Sequence, residues 1–189
     1  MTSPRVIEVV DYDAEWPVRF ARLRERIWPA VRDFALRIEH VGSTSVPGLA
    51  AKPVIDLDLV VPSRHEIPLA VARLASLGYT HQGDLGIPDR EAFDTPCGEI
   101  AHHQYVCPAE SLALRNHLAL RDHLRASASE VAAYSALKKR LACEFPHDIA
   151  RYVEGKTEFI LSILAQCGFP PDSLDSIRRA NQKPDGQGR

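Results

Sequence analysis

Between Val54 and Val61 the chain reads Val-Ile-Asp-Leu-Asp-Leu-Val-Val, with Pro53 before it and Pro62 after it. Apolar density of this kind, bracketed by prolines at positions that strand ends tolerate, predicts a β-strand set into a sheet. Successive strand residues point to opposite faces, so Asp56 and Asp58 share one face while Leu57 and Leu59 enter a core on the other. The two carboxylates then stand about 6.6 Å apart by rise, and at an effective dielectric near 20 they repel by roughly 2.5 kcal/mol. A divalent cation turns that repulsion into attraction, and hard carboxylate oxygens on a rigid strand suit Mg2+ or Mn2+, which also take phosphate oxygens from a substrate. For Asp-x-Asp alone, the simpler alternative is a solvated edge strand.

The complementary half precedes it. Leu36 to Val41 is a short β-compatible run that ends in Glu39-His40-Val41-Gly42-Ser43-Thr44-Ser45, a strand entering a tight turn. Glycine permits close backbone approach, and the hydroxyls and amides of Ser43, Thr44 and Ser45 can hold phosphate oxygens. Hydroxyls at such a place also serve as simple turn caps. The turn and the carboxylate pair together, with both aspartates embedded in an apolar strand, favour a phosphate and metal site.

The remaining periodicities surround this centre. Phe20, Leu23, Ile27, Val31 and Phe34 recur at helical spacing after Asp13 and Pro17. Ser63 and Glu66 form a capping box ahead of Ile67, Val71 and Leu74, and Gly78 ends that helix. A third strand is expected to begin at Tyr79 to His81, an exposed loop or irregular hairpin from Gly83 to Gly98, and a fourth strand from Ile100 to Cys107. Beyond Pro108 nearly everything to Phe169 reads as helix: Leu112 to Leu124, a stripe of Val131, Tyr134, Leu137, Leu141 and Phe145, and a stripe of Ile149, Val153, Ile160, Leu164 and Cys167. The expectation is one α+β unit, with an α/β part over about 1–107 and a helical part over about 108–170. Residues 171–189 are expected to be a tail, disordered toward the apolar-free stretch from Asn181 to Arg189.

Charge narrows the partners. The 189 residues carry 23 Lys+Arg against 25 Asp+Glu, which removes the general electrostatic case for nucleic acid. A chain of this length buries roughly 70% of its unfolded surface, so one core needs no staples. No apolar run approaches a membrane span and the N-terminus lacks a signal pattern, so a cytoplasmic location is expected. Cys97, Cys107, Cys143 and Cys167 lie far apart in sequence and read as reduced, mostly structural thiols.

A Gly-Ser at a strand end, the twelve residues Thr44 to Ile55, then Asp-hydrophobic-Asp resembles the signature of the nucleotidyltransferase superfamily. The longer string His40-Val-Gly-Ser-Thr-Ser-Val-Pro-Gly-Leu-Ala-Ala-Lys-Pro-Val-Ile-Asp-Leu-Asp58 closely resembles the GrpB family. So do Asp11-Tyr-Asp-Ala-Glu-Trp-Pro17 and Tyr152-x-x-x-Lys156-x-x-Phe159, which extends the likeness over about Val6 to Phe169. The resemblance implies a two-layer nucleotidyltransferase-like mixed sheet with a helical appendage, a metal on Asp56 and Asp58, and a nucleoside triphosphate held through Gly42 and Ser43. It also implies a third carboxylate from a later strand. The candidate strand here, Ala101-His102-His103-Gln104-Tyr105-Val106, has none; Glu99 lies just before it, and Tyr105 stands where relatives commonly carry histidine.

On that strand His103 and Tyr105 share one face, and His102 and Gln104 the other. If the first pair faces Asp58, His103 serves as metal ligand, general base or substrate partner; the alternative is two surface histidines. Adjacent strand positions argue against a zinc site made from His102 and His103. Tyr152 and Lys156, one helical turn apart, project together and away from the Ile149, Val153, Ile160 stripe. Lys156, and Lys52 in the loop before the aspartates, would neutralise a triphosphate, or else be solvated surface charges. Lys138, Lys139 and Arg140 read as the polar face of their helix. Three functions share this site: Mg2+-dependent transfer of a nucleotidyl group to a small-molecule acceptor, with Asp56, Asp58 and His103 catalytic; a non-catalytic nucleotide- or coenzyme-A-related binding module; and an ATP-dependent carboxylate-activating ligase.

Overall fold

The computed structural model describes residues 6–182. Its centre is the acidic strand. Strand β1 (Arg37–Val41) pairs antiparallel with β2 (Ile55–Val61), and β2 pairs parallel with β5 (His102–Pro108). Beyond β5 lie β4 (Glu91–Asp94) and β3 (Thr80–Gly83), so the five-stranded mixed sheet has the order β1-β2-β5-β4-β3. Strand β4 falls inside the stretch expected to be loop or irregular hairpin. Its four residues, Glu-Ala-Phe-Asp, are too few to display a period among flanking Gly, Pro and Asp, yet Ala92 and Phe93 are buried between strands on both sides.

Register separates two faces. Leu57 and Leu59 point into the main core with Ile38, Ile55 and Val106, covered by α1 (Glu15–Val31) and α2 (Ile67–Ser76). Helix α1 supplies Trp16, Leu23, Ile27 and Val31 to that core, while Asp13 accepts the Glu15 backbone N–H at its start. The Ser63–Glu66 capping box forms as expected, opening a 3-10 turn that runs into α2. Asp56 and Asp58 face the opposite way.

The helical half comprises α3 (Leu112–Ala126), α4 (Ala128–Glu144), α5 (Ile149–Glu154), α6 (Thr157–Gln166) and α7 (Pro171–Gln182). Two expectations are corrected. The stripe from Ile149 to Cys167 is two helices rather than one, because the chain turns at Gly155, where a Cβ would come within 2.5 Å of a Leu141 methyl. Residues 171–182, expected as tail, form α7: Ile177 is buried with Leu161, Leu164 and Phe169, apolar surface that α6 could not cover alone. Residues 183–189 lie outside the described residues. Of the four cysteines only Cys107 is buried; Cys97, Cys143 and Cys167 are exposed thiols rather than core-fillers. No helix among the described residues is long and apolar enough to cross a membrane.

Candidate functional site

Both carboxylates of β2 meet a histidine. Asp58 is fully buried, and its Oδ2 accepts a hydrogen bond from His117 Nδ1 of α3 at 2.7 Å. Asp56 is half-buried, and its Oδ1 accepts from His103 Nδ1 at 2.8 Å. Parallel pairing sets His103 opposite Asp56 and Tyr105 opposite Asp58, so His103 serves the first aspartate rather than the second. The Tyr105 ring lies between the two imidazoles, 6.2 Å from His103 and 6.1 Å from His117. Burial alone would raise the Asp56 pKa, but the hydrogen bond and charge of His103, with His117 and His40, bring it below the ordinary value. Burial works against a charged His117 too, yet the charge and hydrogen bond of Asp58 outweigh it and raise its pKa. Two imidazoles thus relieve the carboxylate repulsion that β2 builds in.

The turn after β1 is fitted to Asp56. Gly42 has φ +68° and ψ −174°, a region nearly confined to glycine, and a Cβ there would lie 2.0 Å from Asp56 Oδ2. The backbone following Val41 therefore passes directly over the carboxylate. Ser43 begins a 3-10 turn, Ser43–Ser45, and lines the cleft; the Ser45 hydroxyl donates to Gly42 O at 2.6 Å. Thr44 is turned inward, its hydroxyl hydrogen-bonded to His40 Nε2 at 3.1 Å, so it supports the turn from behind. From α3, Arg121 donates to Glu39 and to His40 O, and Arg125 donates to Ser45 O. These bonds hold strand, turn and helix in one register.

A cleft of about 210 Å³ opens here, lined among others by Gly42, Ser43, Asp56, His117, Arg121 and Lys156. Lys156 Nζ lies 4.3 Å from the centre of the Tyr152 ring. Burial and the nearby charge of Lys52, partly offset by Asp56, lower the Lys156 pKa to about 8. Lys52 and Lys156 are therefore within electrostatic reach of each other. Tyr152 differs from expectation: it is buried with Ile7, Leu141 and Ala142, because α5 inserts that face against α4, so it backs Lys156 rather than facing a ligand. Lys138 is likewise corrected. Only Lys139 and Arg140 of that trio are exposed, whereas Lys138 is 2% exposed above the Tyr134 ring, and its Nζ has no hydrogen-bond partner among the described residues. Burial, then Lys156, against the pull of Asp56, lowers its pKa to about 6.

The donor set fits a hard divalent cation in part. Two carboxylates share one strand face, and Asp58 Oδ1 is buried with no hydrogen-bond partner among the described residues. Also among the described residues, no three His, Cys, Asp or Glu side chains converge as a cluster, so a cation held by Asp56 and Asp58 would complete its shell with phosphate oxygens and water. Glu99 supplies no third acid: it pairs with Arg26 of α1 and sits electrostatically with Tyr79 and His102 on the other face. His102 there bonds the Tyr79 hydroxyl at 2.8 Å.

Sequence reasoning does not single out His117 or Arg121, and it assigns Lys138 to a polar helix face. A signal existed: Leu114, His117, Arg121 and Leu124 are spaced three, four and three apart, one helical face on which two polar residues interrupt apolar ones. Lys138 lies four after Tyr134 and three before Leu141, inside a buried stripe.

An Asp-x-Asp strand in a five-stranded mixed sheet, facing a Gly-Ser turn and backed by helices, defines an α+β protein with a carboxylate pair set beside a tight turn. The family model described as GrpB protein matches residues 6–166, and the chain belongs to the GrpB family. A crystal structure of the conserved protein GrpB from Enterococcus faecalis superposes with a TM-score of 0.75 at 28% identity, covering 91% of this chain and 98% of that one. A UPF0157 protein of Streptomyces coelicolor is 34% identical over 168 residues, 88% of each chain. The UPF0157 protein YqkA of Bacillus subtilis is 34% identical over 156 residues, 82% of this chain; the match spans about half, 46%, of YqkA.

Proposed function

We propose that the protein is a Mg2+- or Mn2+-dependent nucleotidyltransferase acting on a nucleoside triphosphate and a small-molecule acceptor. The observation that carries this reading is the fit of the Gly42 backbone over Asp56 at the mouth of a cleft that also holds Lys156. Phosphate oxygens bound there would meet turn amides, a carboxylate-held cation and an ammonium at once. Asp56 and Asp58 would hold the ion, which neutralises phosphate charge and polarises the phosphorus. Ser43 and the turn orient the triphosphate, and Lys156 and Lys52 counter its charge. Because the Asp56 carboxylate can only accept, His103 Nδ1 is the donor in that pair and Nε2 is its basic nitrogen. His103 Nε2 would take the acceptor's proton as the acceptor oxygen bonds to the α-phosphorus and pyrophosphate leaves. Positioning and charge neutralisation supply most of the acceleration.

Thermal unfolding with a panel of nucleoside triphosphates, with and without Mg2+, tests the reading. A ligand at a hundred times its Kd adds about 2.7 kcal/mol of apparent stability. Asp56→Asn combined with Asp58→Asn should abolish the Mg2+-dependent shift and pyrophosphate release; a double variant that binds and reacts like the parent defeats the proposal.

One observation favours a second reading, a binding module without turnover: both carboxylates already carry a histidine, and β5 adds no third acid. A 90-residue stretch is 40% identical to part of a dephospho-CoA kinase of Mycolicibacterium paratuberculosis, 22% of that protein, which directs the search toward coenzyme-A-related ligands. Triphosphate binding without pyrophosphate release across an acceptor panel would select it. The ligase reading predicts amide products, which mass spectrometry detects.

A further inference from the structure

Arg90, at the entry to β4, is 7% exposed, and among the described residues its Nε and Nη2 have no hydrogen-bond partner. Its guanidinium lies 4.6 Å from the centre of the Tyr105 ring, the ring held between His103 and His117. Of the neighbouring acids, Asp89 bonds Arg64, Glu91 bonds His81 and Asp58 Oδ2 bonds His117, while Asp58 Oδ1 and the Nε and Nη2 of Arg90 are not hydrogen-bonded to each other or to any other described residue. Arginine cannot shed its proton in a protein, so burial leaves a permanent cation with unused donors in a planar fork. Such a group is normally matched by an anion, since an uncompensated buried charge is strongly unfavourable. Arg90 also lies close enough to His117 and Cys107 for its charge to be felt at both, which sets it at the Asp58 end of the carboxylate pair. Lys156 feels the charges of both Asp56 and Lys52, at the other end.

We infer that Arg90 forms an oxyanion subsite at the Asp58 end of the site, and that the acceptor is a small molecule bearing a phosphate or carboxylate that the guanidinium grips in bidentate fashion. The word acceptor rests on the nucleotidyl-transfer reading; the subsite itself does not. Tyr105 would hold the guanidinium plane by stacking, leaving its edge to the anion. A triphosphate and an anionic acceptor would then be bound by separate cations at opposite ends of the aspartate pair.

Titration of inorganic phosphate and of acetate into the full chain tests this, by calorimetry and thermal unfolding, with and without Mg2+ and a non-hydrolysable nucleoside triphosphate analogue. One of the two anions should bind saturably, and the better one identifies the source of the oxyanion. Arg90→Met should weaken that binding roughly tenfold or more while the analogue binds as before. The unliganded Arg90→Met protein should also melt higher, because an unpaired buried charge has been replaced by an apolar chain. Arg90→Lys, which keeps the charge but not the fork, should bind the anion with intermediate strength. Undiminished anion binding by Arg90→Met, or no anion binding by the parent, overturns the inference, as does a lower melting temperature with unchanged anion affinity. If the analogue fails to bind while anion binding still depends on Arg90, the nucleotidyl-transfer reading falls and the subsite stands.

Discussion

Replacing Gly42 by alanine perturbs the site at the point where backbone and carboxylate are closest. Gly42 has φ +68° and ψ −174°, a combination that costs a side-chain-bearing residue about 1–3 kcal/mol. The added Cβ would also lie 2.0 Å from Asp56 Oδ2, 2.7 Å from its Cγ and 2.9 Å from its Cβ, so either the carboxylate or the turn must move. Overpacking of that kind adds about 1–3 kcal/mol. The sum, about 2–6 kcal/mol, should lower Tm on the order of 10 °C in a domain of this size. Chemical denaturation of Gly42→Ala, Asp56→Ala and the double variant isolates the contact. With Oδ2 and Cγ gone, the Gly42 substitution should cost about 1–3 kcal/mol less than in the parent. Gly83→Ala is the control for backbone strain alone, since Gly83 has φ +75° but nothing within 4 Å of its built Cβ. If Gly42→Ala costs no more than Gly83→Ala, or costs the same with and without the Asp56 side chain, the fitted turn is not what holds Asp56.

Lys138→Met should raise stability near neutral pH and flatten its pH dependence. The Lys138 pKa falls from 10.5 unfolded to about 6 folded, so between those values the unfolded chain binds the extra proton and stability rises with pH. Urea midpoints between about pH 6 and 9 check this; equal slopes in parent and variant would refute it. Ile177→Ala should cost about 2–4 kcal/mol and release α7, read as faster amide exchange across residues 171–182 than in the parent. Unchanged protection there would mean that α7 does not depend on this contact.

How far the site could be read from sequence depends on how local its signals are. Alternation alone set Asp56 and Asp58 on one face and Leu57 and Leu59 on the other, because a strand's period is fixed by backbone geometry whatever the sheet around it. The capping box at Ser63 and Glu66 was legible for the same reason, being complete within four residues. Strand β4 is legible only through the irregular-hairpin alternative, which its pairing with β3 across a register shift matches; its place beside β5 is set by long-range pairing and is not legible. Helix α7 reads as tail in the sequence because its apolar content is low, and its burial comes from α6. His103 was placed on the correct face, but its partner depended on the parallel register that sets it beside Asp56.

The sequence by itself determined the acidic strand, the Gly-Ser turn, the α+β division and the family, all carried by spacing within a few residues or by a continuous string. Only the tertiary structure decided the charges around that strand. His117 reaches Asp58 across 59 positions, Lys138 loses its solvent between packed helices, and Arg90 is buried with its Nε and Nη2 unpartnered among the described residues. Solvent exclusion and the distance between charges set those energies, and neither quantity exists until α3 is laid against the sheet and α4 against α3.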